Sequence, residues 1–152
     1  MEARLRADQA APDAVRALRA LNHYVETCGL EPGLLELVKT RASQINGCAF
    51  YLHMHTKDAR ARGETEERLF LLDAWRESPL YSERERAALA WTEALTLIAK
   101  TGAPDADFEE LRRQFSDREI VDLTVAVGMI NTWNRLAVGL RFVHPMQRER
   151  AA

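Results

Sequence analysis

Apolar positions recur along this chain at steps of three and four residues, and no segment alternates as a half-buried strand would. Val15, Leu18, Leu21 and Val25 define a first helix over about 12–28. Pro12 suits its first turn, Gly29 its end, and Pro32 opens a second helix that runs to about residue 45 through Leu34, Leu35, Leu37 and Val38. Asn46-Gly47 interrupts the pattern, so a third helix is predicted over 48–63. A fourth, over 65–77, carries Leu69, Phe70, Leu72 and Trp75 on its apolar face. Two capping boxes, Ser82 with Glu85 and Ser116 with Glu119, launch helices predicted to reach residues 100 and 143. Thr101-Gly102 stops the first of these and His144-Pro145 the second. Between them Asp105 is placed to cap a short charged helix ending at Phe115. The fold class is all-α.

The last predicted helix is apolar around most of its circumference, from Ile120 and Val121 through Val125, Met129 and Trp133 to Leu136, Val138 and Leu140. Such a helix is buried on several sides, and in a chain this small part of that surface is expected to meet another subunit. Composition sets further bounds. The chain has 152 residues, 47% of them apolar and 29% charged, which suits one soluble domain with a single substantial core. A net charge of −2 gives no reason to expect nucleic acid or an anionic membrane as a partner. No apolar run approaches the ~20 residues that cross a bilayer. The start of the chain lacks the apolar stretch of a signal peptide, and Cys28 and Cys48 cannot build a disulfide framework, so a cytoplasmic location is expected.

The chemistry concentrates in Gln44-Ile-Asn-Gly-Cys-Ala-Phe-Tyr-Leu-His-Met-His55 and in Glu36 before it. Cys48, Tyr51 and His55 stand at i, i+3 and i+7, which on a helix puts all three on one face. A thiol, an acid and an imidazole together are the parts of an activated cysteine. Cys48 should sit in a first helical turn, where unpaired N–H groups, a protonated His55 or Arg41 would lower its pKa. His55 is the candidate proton relay. His53 projects to another side and reads as a surface or interface residue, and His53 with His55 makes a poor metal pair because i and i+2 diverge. Glu36 occupies an ordinary helix position and reaches Cys48 only if the second and third helices fold back around Asn46-Gly47. Asn131 and Asn134 need hydrogen-bond partners if buried, and would line a pocket or tie helices together.

These residues resemble the AhpD-like alkylhydroperoxidase group of the carboxymuconolactone decarboxylase superfamily. The resemblance runs over about 15–143 and rests on Leu37-Val-Lys-Thr-Arg-Ala-Ser-Gln-Ile-Asn-Gly-Cys48, His55-Thr-Lys-Asp-Ala-Arg60, Gly63-Glu-Thr with Arg68, Leu71-Leu-Asp-Ala-Trp-Arg-Glu77, Glu83-Arg-Glu-Arg-Ala-Ala-Leu-Ala-Trp91 and Ile130-Asn-Thr-Trp-Asn-Arg-Leu136. It implies a single helical-bundle domain of six to seven helices, assembled as trimers or hexamers, without a metal or organic cofactor. The family's four-residue pattern reads here as Glu36, Cys48, Tyr51 and His55. The family's peroxide-attacking cysteine falls at Tyr51, its resolving cysteine at Cys48, and its proton relay at Glu36 and His55. Tyrosine forms no sulfenic acid, so an internal dithiol cycle cannot run at Cys48. Cys28 ends a different helix and is not expected to substitute.

Three functions follow from that resemblance. One is a peroxidase working through Cys48 alone, with an external thiol as reductant, His55 and Glu36 moving the proton and Tyr51 holding the peroxide. A second is non-redox acid–base chemistry by His55 and Glu36 on a small carboxylated substrate, with Tyr51 polarising a carbonyl. The third is a catalytically silent helical scaffold.

Overall fold

The chain is organised around a helix that is buried on almost every side, Pro32–Ile45, whose residues Leu34 to Thr40 are all inaccessible together with Ala42 and Ser43. The structure is a computed structural model that describes residues 2–145. In chain order its helices are α1 (Ala7–Ala10), α2 (Pro12–Thr27), α3 (Pro32–Ile45), α4 (Ala49–Ala61), α5 (Glu66–Leu71), α6 (Glu83–Thr96), α7 (Ile98–Thr101), α8 (Asp105–Gln114) and α9 (Asp117–Leu140), with a 3₁₀ turn at Leu72–Ala74. The described residues form no strand, as the periodicity predicts.

Two apolar clusters explain the burial of α3. One face, with Leu34, Leu35, Val38 and Ala42, packs against Cys48 and Tyr51 of the α4 segment, Trp91 of α6, and Leu123, Val127 and Ile130 of α9. The opposite side gives Leu37 to a second cluster with Ala59, Leu69, Leu72, Trp75, Tyr81 and Leu89. Burying a Leu or Ile side chain contributes roughly 1.5–3 kcal/mol, so this double seating fixes α3 as the reference element for everything near it.

Several predicted boundaries shift for local reasons. The helix expected over 65–77 ends at Leu71 and tightens into the 3₁₀ turn, so that Leu72 and Trp75 both reach the second cluster. Its freed carbonyls are satisfied by Arg86, whose guanidinium donates to Trp75 O at 3.1 Å, Arg76 O at 2.7 Å and Ser78 O at 3.0 Å. The helix from Ser82 breaks at Leu97, where the Thr101 hydroxyl donates to Ala94 O at 2.6 Å and a short α7 follows before Gly102. Asp105 does not cap α8; Pro104 holds that position and Asp105 lies in the first turn, where its negative charge complements the positive end of the helix dipole. α9 stops at Leu140, three residues earlier than expected, because Arg141 adopts a left-handed conformation (φ 56°) and Phe142 N–H turns back to Ala137 O at 2.8 Å. Both capping boxes are present as predicted. α9 does bury most of its circumference, but it leaves Val121 (61%) and Val138 (50%) open to solvent.

Glu93 of α6 ties these elements together, accepting from Arg41 of α3 and from the Trp75 indole, both at 2.8 Å, and pairing with Arg76. Burial pushes its carboxyl up, yet hydrogen bonds from Arg76, Trp75 and Arg41 outweigh that, and the net shift is downward. A lowered carboxyl contributes stability above its unfolded pKa near ~4.3, lost as pH falls through the folded value. Urea unfolding at pH 7 and pH 3 should therefore show a larger acid-induced loss for the wild type than for Glu93→Gln. Equal losses would remove Glu93 from this role.

Candidate active site

Gly47 adopts φ +62°, a left-handed conformation that glycine reaches without a Cβ penalty, and this lets α4 fold back along α3. The reversal brings together two residues nineteen positions apart. His55 Nδ1 lies 2.9 Å from Glu36 Oε2, and Lys39 Nζ donates to Glu36 Oε1 at 2.7 Å. All three are buried, with exposures of 4%, 3% and 5% for His55, Glu36 and Lys39. Glu36 is therefore no solvated surface charge. Burial raises its carboxyl pKa, but the hydrogen bond from His55 and the charge and hydrogen bond of Lys39 prevail, and the group is held below the usual carboxylate range. An ionised carboxylate only accepts, so His55 Nδ1 carries the proton and donates. In the neutral imidazole Nε2 is then the free lone pair. That nitrogen is buried and has no hydrogen-bond partner.

His55 borders a cavity of about 720 Å³, a volume within the range of small-molecule sites. α4 contributes Phe50, Tyr51, Met54 and His55, α2 contributes Val15, Arg19 and Asn22, and α9 contributes Met129, Ile130 and Trp133. The two ends of the described chain close it, through Leu5 and Arg6 on one side and Phe142 and Val143 on the other. Those ends are joined by Arg4, whose N–H donates to Leu140 O at 2.9 Å and whose guanidinium donates to Gly139 O at 3.1 Å. Tyr51 stacks on His55 with ring centroids 5.6 Å apart. Burial pushes its phenol well above the usual value, so it remains a proton-bearing donor at neutral pH.

Cys48 lies close enough to Tyr51 for its charge to act on the phenol, but it is outside the cavity lining. It is the N-cap of α4, 1% exposed, and does not line the cavity that Tyr51 and His55 share. The expected lowering of its pKa is reversed: burial raises it, and the opposing hydrogen bonds from the backbone of Tyr51 and Phe50 and from Asn134 are too weak to compensate. Arg41 does not assist, since it is committed to Glu93, Gln44 and Asp73. Both cysteines are free, and Cys28 donates its S–H to Val25 O at 3.1 Å. Under native conditions a thiol reagent should label Cys28 readily and Cys48 at least about a hundredfold more slowly than after denaturation. Equal labelling of the two would show that Cys48 is reachable.

Asn131 and Asn134 tie helices together and do not line the cavity. Asn46 Nδ2 donates to Asn131 Oδ1 at 3.0 Å and Asn134 Oδ1 at 2.8 Å, while Asn134 Nδ2 donates to Ser43 Oγ at 3.1 Å and Asn131 Nδ2 to Thr96 Oγ1 at 3.0 Å. The chain break before α4 is thus anchored to α9. His53 lies away from the cavity and stacks on His144 at 5.0 Å. Among the described residues one cluster has metal-ligand character, Glu36, His55 and Asp58, whose donor atoms lie within 4.8 Å of one another. Lys39 at 2.7 Å and Arg62 at 3.8 Å from Glu36 already supply the positive charge there, so the set suits an ion-paired carboxylate better than a cation. Lys39, Arg19 and Asn22 went unrecognised in the sequence. Lys39 had a usable signal, its i,i+3 spacing from Glu36, whereas Arg19 and Asn22 look like ordinary surface positions of α2.

Comparisons with known proteins give the family and the fold of the chain. The sequence model of the carboxymuconolactone decarboxylase family matches residues 12–94, which include Glu36, Cys48, Tyr51 and His55. The uncharacterized protein YdfG of Bacillus subtilis is 38% identical over 130 residues, covering 86% of this chain and 88% of that protein. A crystal structure from Agrobacterium tumefaciens is 53% identical with a TM-score of 0.94, covering 96% of this chain and 100% of that one; it is described as a protein of unknown function and a candidate antioxidant defence protein AhpD. An uncharacterized peroxidase-related protein from Silicibacter sp. is 25% identical with a TM-score of 0.79, covering 90% of this chain and 72% of that one.

Proposed function

The chain belongs to the carboxymuconolactone decarboxylase family, and from that premise we propose that it is an acid–base enzyme acting on a small carbonyl compound, with His55 as the proton-transferring group. One observation carries the proposal: His55 lines a cavity that no thiol lines, and its Nε2 is buried and unpartnered. In this reading Nε2 takes a proton from the carbon next to a substrate carbonyl, and the electron pair of the broken C–H bond moves onto the carbonyl oxygen. The Tyr51 hydroxyl donates a hydrogen bond to that oxygen as charge develops. Glu36 fixes the imidazole tautomer and stabilises the imidazolium, and Lys39 keeps Glu36 ionised and in place. The proton then returns from Nε2 to carbon or to a leaving group. The test is deuterium incorporation in heavy water across a panel of small oxo acids and lactones. The expected result is protein-dependent exchange that survives Cys48→Ser. Exchange no faster than in buffer for every member, or exchange lost in Cys48→Ser, contradicts the reading.

The likeness to a candidate AhpD and to a peroxidase-related protein favours a second reading, thiol-dependent reduction of hydroperoxides. Cys48 would attack the peroxide oxygen as a thiolate, becoming a sulfenic acid while an alcohol leaves with the proton that His55 delivers, and an external thiol would then reduce it. The three N–H and amide donors around its sulfur favour a thiolate, but its burial sets against that. A hydroperoxide consumption assay with dithiothreitol separates the readings, since only the second predicts turnover that Cys48→Ser abolishes.

A further inference from the structure

We propose that the cavity takes a molecule with an apolar body and one carboxylate, and that Arg19 of α2 holds the carboxylate. The inference rests on the acid–base reading for where the reacting carbon sits, but its own argument comes from the charged residues of the lining. Setting His55 aside, the charged residues lining the cavity are Arg6, Asp8 and Arg19. Arg6 and Asp8 satisfy each other in an ion pair at 3.0 Å. Arg19 is exposed and makes no ion pair and no hydrogen bond with any described residue, so its guanidinium is free to pair with a ligand in the cavity. Much of the remaining wall is apolar, from Phe50, Met54, Ile130 and Trp133. A guanidinium beside such surface attracts a planar anion, and its forked donors match a carboxylate in two parallel hydrogen bonds. The second observation concerns His55 of the same lining, which is 4% exposed and carries an unpartnered Nε2. Arg19 is near enough for its charge to act on the Tyr51 phenol, which stacks on His55. A carboxylate on Arg19 therefore places the adjoining carbons beside Tyr51 and His55, while the rest of the molecule covers the aromatic wall.

Calorimetric titration of the full chain with hexanoate and with 1-hexanol tests this, because the two probes share an apolar body and differ in the anion. Hexanoate should bind at least about tenfold more tightly than the alcohol, and Arg19→Met should remove about that factor while leaving the alcohol unchanged. Added salt should weaken the acid's binding alone. Equal binding of acid and alcohol, no binding of either, or an Arg19→Met variant that binds hexanoate like the wild type each overturns the proposal. His55→Gln keeps the two claims apart. It should bind hexanoate like the wild type while losing exchange, whereas a wild-type protein that binds hexanoate through Arg19 and exchanges no substrate refutes the acid–base reading and leaves this subsite standing.

Discussion

His55→Gln should lower kcat/KM for the exchange reaction by about 10²–10⁴, the usual contribution of a positioned general acid–base group, while leaving the fold intact. Glutamine is the informative replacement because its amide N–H can still donate to the Glu36 carboxylate that His55 Nδ1 occupies at 2.9 Å. The buried acid then keeps a partner, and the circular-dichroism spectrum and melting temperature should change little. What the variant lacks is the basic lone pair of the unpartnered Nε2 on a residue that lines the cavity. A variant retaining more than a tenth of wild-type exchange with an unchanged fold would remove His55 from the chemistry. Tyr51→Phe, which deletes only the hydroxyl donor, should cost less than His55→Gln in the same assay.

The largest stability effect should come from Glu36→Leu. Glu36 accepts from both Lys39 and His55 in a site where all three side chains are nearly inaccessible. Removing the carboxylate leaves a lysine ammonium with no counter-charge, and breaking a buried pair from one side costs about 3–5 kcal/mol. For a chain of this length that lowers the melting temperature by roughly 10 °C. Arg62, 3.8 Å from the same carboxylate and half exposed, can turn to water and adds little. The double variant Glu36→Leu with Lys39→Met should recover about half of the loss, because it replaces the ion pair by apolar groups of similar size. The remaining deficit, about 1–3 kcal/mol, is the orphaned Nδ1–H of His55. If Glu36→Leu alone melts like the wild type, the three residues do not form the network described above. The same network gives a pH signature. The Glu36 contribution is complete above the unfolded carboxyl value near pH ~4.3 and is lost as pH falls through the lowered folded value.

What could be read from the sequence was the local part. The all-helical pattern, the two serine capping boxes and the breaks at Gly29, Asn46-Gly47 and Gly102 all depend on residues within a few positions of one another, and the structure keeps them. The helix ends that moved were decided by tertiary partners. Arg86 drew the carbonyls around Trp75 into a turn, and Arg141 entered the left-handed region so that Phe142 could close on the cavity. The site divides the same way. Spacing placed Tyr51 and His55 on one face of α4, and both border the cavity. Spacing also put Cys48 with them, and there it misled, since the residue caps the helix instead of lying within it and its sulfur is turned into the core. The burial of Glu36 and Lys39 needed the fold-back of α4 on α3, which no local pattern specifies. Arg19 needed more still, because α2 is brought to the cavity by packing on α9 and α1.

The central claim is that the chemistry belongs to the His55–Glu36 pair at the cavity and bypasses the buried thiol. Intact-protein and peptide mass spectrometry after sub-stoichiometric tert-butyl hydroperoxide, with and without an added small thiol, tests it most directly. The account predicts that Cys48 is recovered unmodified under native conditions. Rapid, stoichiometric formation of a sulfenic acid or a mixed disulfide at Cys48 would contradict it.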